Sequence, residues 1–135
     1  MIRAVLDANV IVSALLFRGI TSQLVPLWQG RKFLPLVSKA IVEEYLRVLA
    51  YSRFHLTLEE VKALVERQIL PFVSPVEVRE VPLVIKEDPS DSIFPACALK
   101  GKAHFIVSGD RHLLNLKIYH RIPIVPPATF LSRMK

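Results

Sequence analysis

Cysteine, glycine and long apolar runs are all scarce in this sequence of 135 residues. Cys97 is the only cysteine, which excludes an internal disulfide and a zinc site built from several thiolates. The four glycines form no phosphate-cradling loop, so no nucleotide cofactor is expected. Every apolar run is shorter than the roughly 20 residues that a membrane-spanning helix needs, so no membrane partner is expected either.

The N-terminal stretch and the hydrophobic content bear on location and domain number. Asp7 comes too early for residues 1–7 to hold the apolar core and cleavage site of a secretory signal, which leads us to expect a cytoplasmic protein. Hydrophobic residues make up 52% of a chain of ordinary single-domain length. We therefore expect one domain over residues 1–135.

The chain is basic. It has 18 lysines and arginines against 12 acidic residues, a formal net charge of +6. Such a balance suits a polyanionic partner such as nucleic acid. Charge alone does not separate nucleic-acid-binding proteins from other small basic proteins, so the assignment depends on a site.

Short apolar runs alternate with segments of helical periodicity. Strands are predicted at residues 2–6, 32–37, 104–108 and 122–125, with one further short strand in the proline-rich connection 71–86. Helices are predicted at residues 9–17, 21–29, 39–51, 57–70, 90–99, 111–114 and 126–135. Because parallel strands need crossovers, this alternation predicts an α/β fold: a three-layer α/β/α sandwich around a mainly parallel sheet of about four to five strands.

Polar residues stand before several predicted helices, where a side-chain oxygen can accept a backbone N–H. The candidate N-caps are Thr21 or Ser22, Ser38, Thr57 with Glu60 at capping-box spacing, and Asp91 or Ser92. If the last of these is right, Pro95 falls near the first turn of its helix, where proline is best tolerated.

The four aspartates of the chain are placed unevenly. Asp7 ends the first predicted strand, Asp110 follows the strand at 104–108, and Asp88 and Asp91 precede the helix that leads into that strand. In a parallel sheet all of these places lie at the carboxyl ends of the strands, where α/β proteins bind ligands. The pattern predicts a cluster of carboxylates there.

Two explanations of these aspartates stay open. Aspartate is a favoured N-cap, and for any single position capping is the commoner role. Several carboxylates at one sheet edge repel one another, however, unless a cation or a raised pKa relieves the repulsion. The joint pattern therefore favours a hard divalent cation.

Two adjacent glutamates in the helix at 39–51 can be separated by periodicity. The apolar stripe of this helix consists of Ile41, Tyr45, Val48 and Leu49. Glu43 points nearly opposite its centre and should be solvated, whereas Glu44 lies on its border and can reach into a site.

The segments that carry these acids resemble a known family. VLDANVIVSALL, VSKAIVEEYLRVLAYSRF, EDPSDSIFPACALKGKAHFIVSGDRHLL and IPIVPPATFL look like a PIN domain, over essentially the whole chain. The closest branch comprises the toxins of toxin–antitoxin pairs, akin to VapC-like ribonucleases. The order Asp, Glu, Asp, Asp at these spacings is more specific than any one motif.

The resemblance implies a set of site residues. The family's catalytic and metal-binding acids fall on Asp7, Glu44, Asp91 and Asp110, and the cofactor would be Mg²⁺ or Mn²⁺. Residues expected to support the site from its flanks are Asn9, Ser108 and Asp88. The chain departs from the family pattern at Ser90 and Ser92, where relatives commonly carry acids, and at Pro95, where they have a helix former.

The expected function is that of a divalent-metal-dependent endoribonuclease, a toxin that hydrolyses RNA phosphodiesters with metal-activated water. Arg111 and His112, next to Asp110, are the first candidates for substrate binding. Further candidates, each equally explained as a solvated surface charge, are Arg18, Lys86, Lys100 and Lys102. One alternative is a non-catalytic PIN-like module that binds RNA or protein. Another is a phosphoryl-accepting domain using Asp7, which the lack of a second acid two positions later disfavours.

The expected macromolecular partners are RNA, a cognate antitoxin and a second copy of the chain. The apolar positions that suggest a covered surface are Val10, Val12, Leu15, Leu16, Trp28 and Phe33. A homodimer or an antitoxin segment in a groove would cover them, and so would a generous monomeric core.

Overall fold

The computed structural model of the chain describes residues 1–82, 84 and 89–134, apart from the side chains of residues 89 and 90. Its strands are β1 (Arg3–Leu6), β2 (Leu34–Val37), β3 (Ser74–Pro75), β4 (Phe105–Val107), β5 (Ile118–Tyr119) and β6 (Ile122–Val125). Its α-helices are α1 (Ala8–Leu16), α2 (Leu24–Gln29), α3 (Lys39–Leu49), α4 (Leu58–Leu64), α5 (Ile93–Lys100), α6 (Arg111–Leu116) and α7 (Pro127–Met134).

The strands form one sheet in the order β3-β2-β1-β4-β6-β5, in which only β5 is antiparallel to its neighbour. Helices flank this sheet, which confirms the predicted three-layer α/β fold. The predicted number of strands was too low, because the described residues form six. The short strand predicted within residues 71–86 is β3, and the strand that was missed is the edge strand β5, whose two residues are too few to show a period of alternation.

The predicted N-caps are partly confirmed. Ser38 accepts the N–H of Ile41, and Thr57 and Glu60 form a complete capping box. Neither Thr21 nor Ser22 caps a helix. The chain forms a 3₁₀ turn at Thr21–Gln23 and continues into α2 with helical backbone angles, so α2 has no extended residue at which a side chain could cap it.

The same cause applies to α5. Ser92 occupies its N-cap position but makes no side-chain capping bond, since the 3₁₀ turn Pro89–Ser92 leads directly into the helix. Pro95 is the third residue of α5 and is tolerated there, because the N–H groups of the first turn have no partner within the helix.

The core lies on both sides of the sheet and takes up most of the apolar positions that suggested a partner. Val10, Val12, Trp28 and Phe33 are buried within the single chain, and Leu15 and Leu16 are half-buried. The Trp28 Nε1–H donates to the carbonyl of Gln68 at 2.8 Å, which satisfies its one polar atom. These residues therefore support the monomeric-core explanation and no longer indicate a homodimer.

Among the described residues, no single helix is long and apolar enough to cross a membrane. One pair, Ala8–Leu16 with Thr21–Gln29, passes the length and composition test only when taken together, and it is bent by 88°.

Gly101 ends α5 where the chain passes close to the sheet. A Cβ at this position would lie 2.7 Å from Leu36 Cδ1 and 2.9 Å from Val76 Cγ2. We expect Gly101→Ala to lower the free energy of unfolding by about 1–2 kcal/mol, the usual cost of overpacking. Gly109→Ala is the matched control, because its Cβ would meet no atom within 4 Å. Urea denaturation of both variants tests this, and equal stability of the two would contradict it.

Candidate active site

Four predicted acids lie around one cavity at the carboxyl ends of the central strands. The cavity has a volume of about 170 Å³, and we call it the acid cavity. The residues that line it are Asp7, Ala8, Asn9, Glu44, Arg47, Val48, Tyr51, Asp91, Phe94 and Asp110. The sheet topology explains why Asp7 and Asp110 lie close together. Asp7 directly follows β1, Asp110 lies three residues after β4, and these two strands are parallel neighbours.

Asp7 is the most deeply placed of the acids, with 3% of its surface exposed. Its Oδ1 accepts the N–H of Val10 at 2.8 Å, so it is also the N-cap of α1, and its Oδ2 accepts the hydroxyl of Ser108. Burial raises the pKa of Asp7 from 3.8 to about 6, although the bonds from Ser108 and Val10 oppose the rise. The negative charge of Asp110 adds to it.

Ser108 links two of the acids. It is fully buried, donates its hydroxyl to Asp7 and accepts the backbone N–H of Asp110 at 2.9 Å. The Asp110 carboxylate in turn accepts the N–H of Leu113 at 3.3 Å and is the N-cap of α6. Capping and membership of an acidic cluster are thus combined in Asp7 and Asp110, so the two explanations of the aspartates do not exclude each other.

Tyr45 supports the site from below, a role that the sequence did not indicate beyond its place in the apolar stripe. Its buried hydroxyl donates to the carbonyl of Leu6, the residue just before Asp7. Burial raises the pKa of Tyr45, with smaller contributions from Asp7 and Cys97, so the phenol stays protonated and keeps this bond. The end of β1 is thereby tied to α3.

Glu44 and Glu43 lie as periodicity predicted. Glu43 is exposed, whereas the side chain of Glu44 is 18% exposed and lines the acid cavity. Arg47 holds both carboxylate oxygens of Glu44, with its Nε 2.8 Å from Oε1 and its Nη2 2.7 Å from Oε2. These bonds raise the pKa of the Arg47 guanidinium. Arg47 Nη1 also donates to the hydroxyl of Tyr51 at 2.8 Å.

Sequence reasoning missed Arg47, although a signal was present. Its position three residues after Glu44 on one helix is the spacing of an intrahelical ion pair. Among the described residues that line the acid cavity, it has the only basic side chain. An anion that enters this cavity therefore lies beside Arg47, whereas the predicted substrate residues Arg111 and His112 do not line it.

The remaining predicted residues are distributed as follows. Asp91 lines the acid cavity despite the departures at Ser90 and Ser92, and Asn9 lies exposed at its rim. Arg111 and His112 begin α6 but do not line the cavity. Lys100 and Arg18 line other cavities, and Lys102 is exposed with its carbonyl bound by Arg3. Asp88 and Lys86 lie outside the described residues.

The donor chemistry of the acid cavity suits a hard divalent cation. Its four carboxylates offer only oxygen ligands, the kind that Mg²⁺ and Mn²⁺ prefer. Within residues 1–82, 84 and 89–134, however, no three His, Cys, Asp or Glu side chains lie close enough to hold a metal ion. The four acids therefore surround the cavity without converging on one point, and Asp7 and Glu44 each accept a hydrogen bond at both oxygens.

Three solved structures share this fold. PAE2754 from Pyrobaculum aerophilum aligns with a TM-score of 0.66 and 14% identity over 98% of this chain and 89% of that one. VapBC2 from Rickettsia felis, bound to a DNA fragment from its promoter, aligns with a TM-score of 0.64 and 10% identity over 91% of this chain and 97% of that one. FitAcB from Neisseria gonorrhoeae aligns with a TM-score of 0.58 and 15% identity over 93% of this chain and 98% of that one.

Sequence comparison identifies the family to which the chain belongs. No curated protein sequence matches the chain significantly. The family model described as PIN domain matches residues 3–112, a range that includes all four acids of the cavity. With that match over most of its length, this chain belongs to the PIN-domain family.

Proposed function

We propose that the chain is a divalent-metal-dependent endoribonuclease and the toxin of a toxin–antitoxin pair. The observation that carries the proposal is the set of four carboxylates around one small cavity at the carboxyl ends of β1 and β4. Membership of the PIN family supports a nuclease, since PIN domains are generally nucleases that use divalent metals. The net charge of +6 suits a polyanionic substrate.

Each residue of the acid cavity has a role in this proposal. Asp7, Asp91 and Asp110 would hold Mg²⁺ or Mn²⁺ partly through the waters that such a cation keeps, because no three acids of the described residues lie close enough to ligate one ion directly. Glu44 would orient water or a ligand. A cation held there would lower the pKa of a water and offset charge on the phosphate. Ser108 keeps Asp7 and Asp110 in register, and Arg47 can donate to a phosphate oxygen from the same cavity.

RNA cleavage with a matched pair of variants tests the proposal. We expect cleavage with Mn²⁺ or Mg²⁺, none with EDTA, and products with a 5′-phosphate and a 3′-hydroxyl. Glu44→Gln should lower the rate by about tenfold or more, because Gln keeps the shape of the side chain but loses the charge. Glu43→Gln, one residue away and exposed, should cleave like the unaltered protein. Cyclic phosphate products, or cleavage that persists in EDTA, would contradict the proposal.

The alternative is a non-catalytic PIN-like module that binds RNA or protein. It is favoured by the capping bonds of Asp7 and Asp110, which give both residues a structural purpose. Thermal melting with Mg²⁺ or Mn²⁺ separates the two functions. A cation that binds the folded state raises Tm, by an amount that grows with its concentration, whereas residues that serve only as caps give no such rise.

An antitoxin partner and a homodimer are proposals as well. The fold likeness to the VapBC2 and FitAcB structures supports the first. Sedimentation of the purified chain, alone and with the product of a neighbouring antitoxin gene, tests both.

A further inference from the structure

A second cavity opens beside the acid cavity, between α1 and the turn that follows α3. It has a volume of about 700 Å³, and we call it the aromatic cavity. The residues that line it are Asn9, Val12, Ser13, Leu16, Phe17, Arg53 and Phe54. Asn9 lines the acid cavity too, so the two spaces adjoin. We propose that the aromatic cavity is a nucleobase subsite for single-stranded RNA, an inference that rests on the proposed ribonuclease function.

The ring of Phe17 is the main exposed aromatic surface of this cavity, since Phe54 is half-buried and Arg53 lies over its ring. Phe17 is 54% exposed and Tyr51, on the rim of the acid cavity, is 36% exposed. The Phe17 and Phe54 ring centroids are 6.0 Å apart with their planes at 60°, so the rings do not stack face to face. The unstacked bases of single-stranded RNA bind to exposed aromatic faces, with little dependence on the RNA sequence.

Arg53 adds a cationic group to these rings. Its guanidinium lies 4.9 Å from the Phe54 centroid and 5.5 Å from the Tyr51 centroid. Among the described residues no carboxylate lies within ion-pair distance of Arg53, so none of them neutralises its charge. An arginine held on aromatic faces in this way loses little further freedom when it binds a phosphate.

A third cavity adjoins the aromatic cavity at Phe17, and we call the acid, aromatic and third cavities together the track. It has a volume of about 350 Å³ and shares Ser13 and Phe17 with the aromatic cavity. The residues that line it are Ser13, Phe17, Arg18, Gly19, Ile20, Thr21 and Ser22. The track thus alternates an acidic site, an aromatic site and a site with Arg18, hydroxyls and backbone groups.

This alternation matches a nucleic acid strand better than an apolar protein segment. A strand presents phosphate, base and phosphate in turn. In the part of the chain that the structure describes, no carboxylate that would repel it lines the aromatic or the third cavity. The scissile phosphate would lie at the acid cavity, the neighbouring base on the rings, and the next phosphate near Arg18. Arg53 and Arg18 supply the complementary charge.

Binding of a fluorescein-labelled eight-nucleotide single-stranded RNA, measured by fluorescence anisotropy in EDTA, tests the subsite without cleavage. We expect Phe17→Ala to weaken binding about tenfold, near the low end of what one stacked base contributes, and Phe17→Tyr to retain it. Arg53→Gln should weaken binding and reduce its dependence on salt. The controls lie in the β5–β6 hairpin, which lines none of the three cavities: Ile118→Ala removes an equally exposed apolar side chain and Arg121→Gln an exposed arginine, and neither should change the affinity.

An abasic series separates stacking from a general change in the protein. Removing one base at a time from the RNA should weaken binding to the unaltered chain at one position or more, and Phe17→Ala should abolish that difference. Unchanged RNA affinity in both Phe17→Ala and Arg53→Gln would overturn the subsite, even if the protein cleaves RNA. Unchanged RNA affinity with weakened self-association of Phe17→Ala would also overturn it, and would identify a protein interface. Phe17-dependent binding without cleavage in Mg²⁺ or Mn²⁺ would leave the subsite standing and reject the nuclease.

Discussion

Replacing Asp7 by Asn should reduce RNA cleavage about a thousandfold while the protein stays folded. The amide oxygen can still accept the Val10 N–H and cap α1, and Ser108 can accept from the amide nitrogen in place of donating. What the variant loses is the negative charge nearest the centre of the sheet. Circular dichroism and a cleavage assay with Mn²⁺ measure the two properties separately.

Two controls sharpen this result. Asp110→Asn, which also keeps the shape of a cap, should lose activity too, whereas Glu43→Gln should not, because its side chain points away from the cavity. Near-full activity of Asp7→Asn would count against the whole catalytic scheme. Activity lost together with the helical signal would mean that Asp7 serves the fold alone.

The contribution of Asp7 to the stability of the metal-free protein should fall as pH rises from about 4 to about 7. The pKa of Asp7 is about 6 in the folded chain and 3.8 as its ordinary value, so between these values the folded chain keeps a proton that the unfolded chain has released. The stabilisation is complete below 3.8 and is lost as pH rises through 6. At about 1.4 kcal/mol per pKa unit, the loss is about 3 kcal/mol.

Urea denaturation in EDTA at a series of pH values measures this loss. The difference between the unaltered chain and Asp7→Asn isolates Asp7 from the other carboxylates, because the amide does not titrate. The free energy of unfolding of Asp7→Asn should therefore rise relative to that of the unaltered chain as pH increases from 4 to above 6. Parallel curves for both proteins would show that Asp7 is not strained by burial.

The local elements were predictable where they are long enough to show a period or carry a distinct cap. The four longer strands, the Ser38 cap, the Thr57 capping box and the contrast between Glu43 and Glu44 were all legible along the chain. The two residues of β5 show no period, so this edge strand was missed and the predicted number of strands was too low. The Thr21 and Ser22 caps failed because residue preference does not reveal whether the chain approaches a helix extended or already turning.

Within the site, prediction succeeded for residues whose place follows from strand ends. Asp7, Asp91 and Asp110 reach one cavity because parallel strands and the turns beside them end on one side of a sheet. The predicted substrate residues Arg111 and His112 were chosen by nearness in sequence, yet the side chain that faces the cavity is Arg47, which lies on another helix. Nearness in sequence does not decide which way a side chain points.

The amino-acid order by itself determined the α/β alternation, the placing of acids after strands and the side of α3 that carries Glu44, because each depends on a local period or a chain direction. Only the tertiary structure decided the bond from Ser108 to Asp7, the hold of Arg47 on Glu44, and the joining of the acid and aromatic cavities through Asn9. These contacts join residues on different elements or depend on rotamers, and the raised pKa of Asp7 depends on what surrounds it. Distances and burial of this kind exist only once the chain has packed.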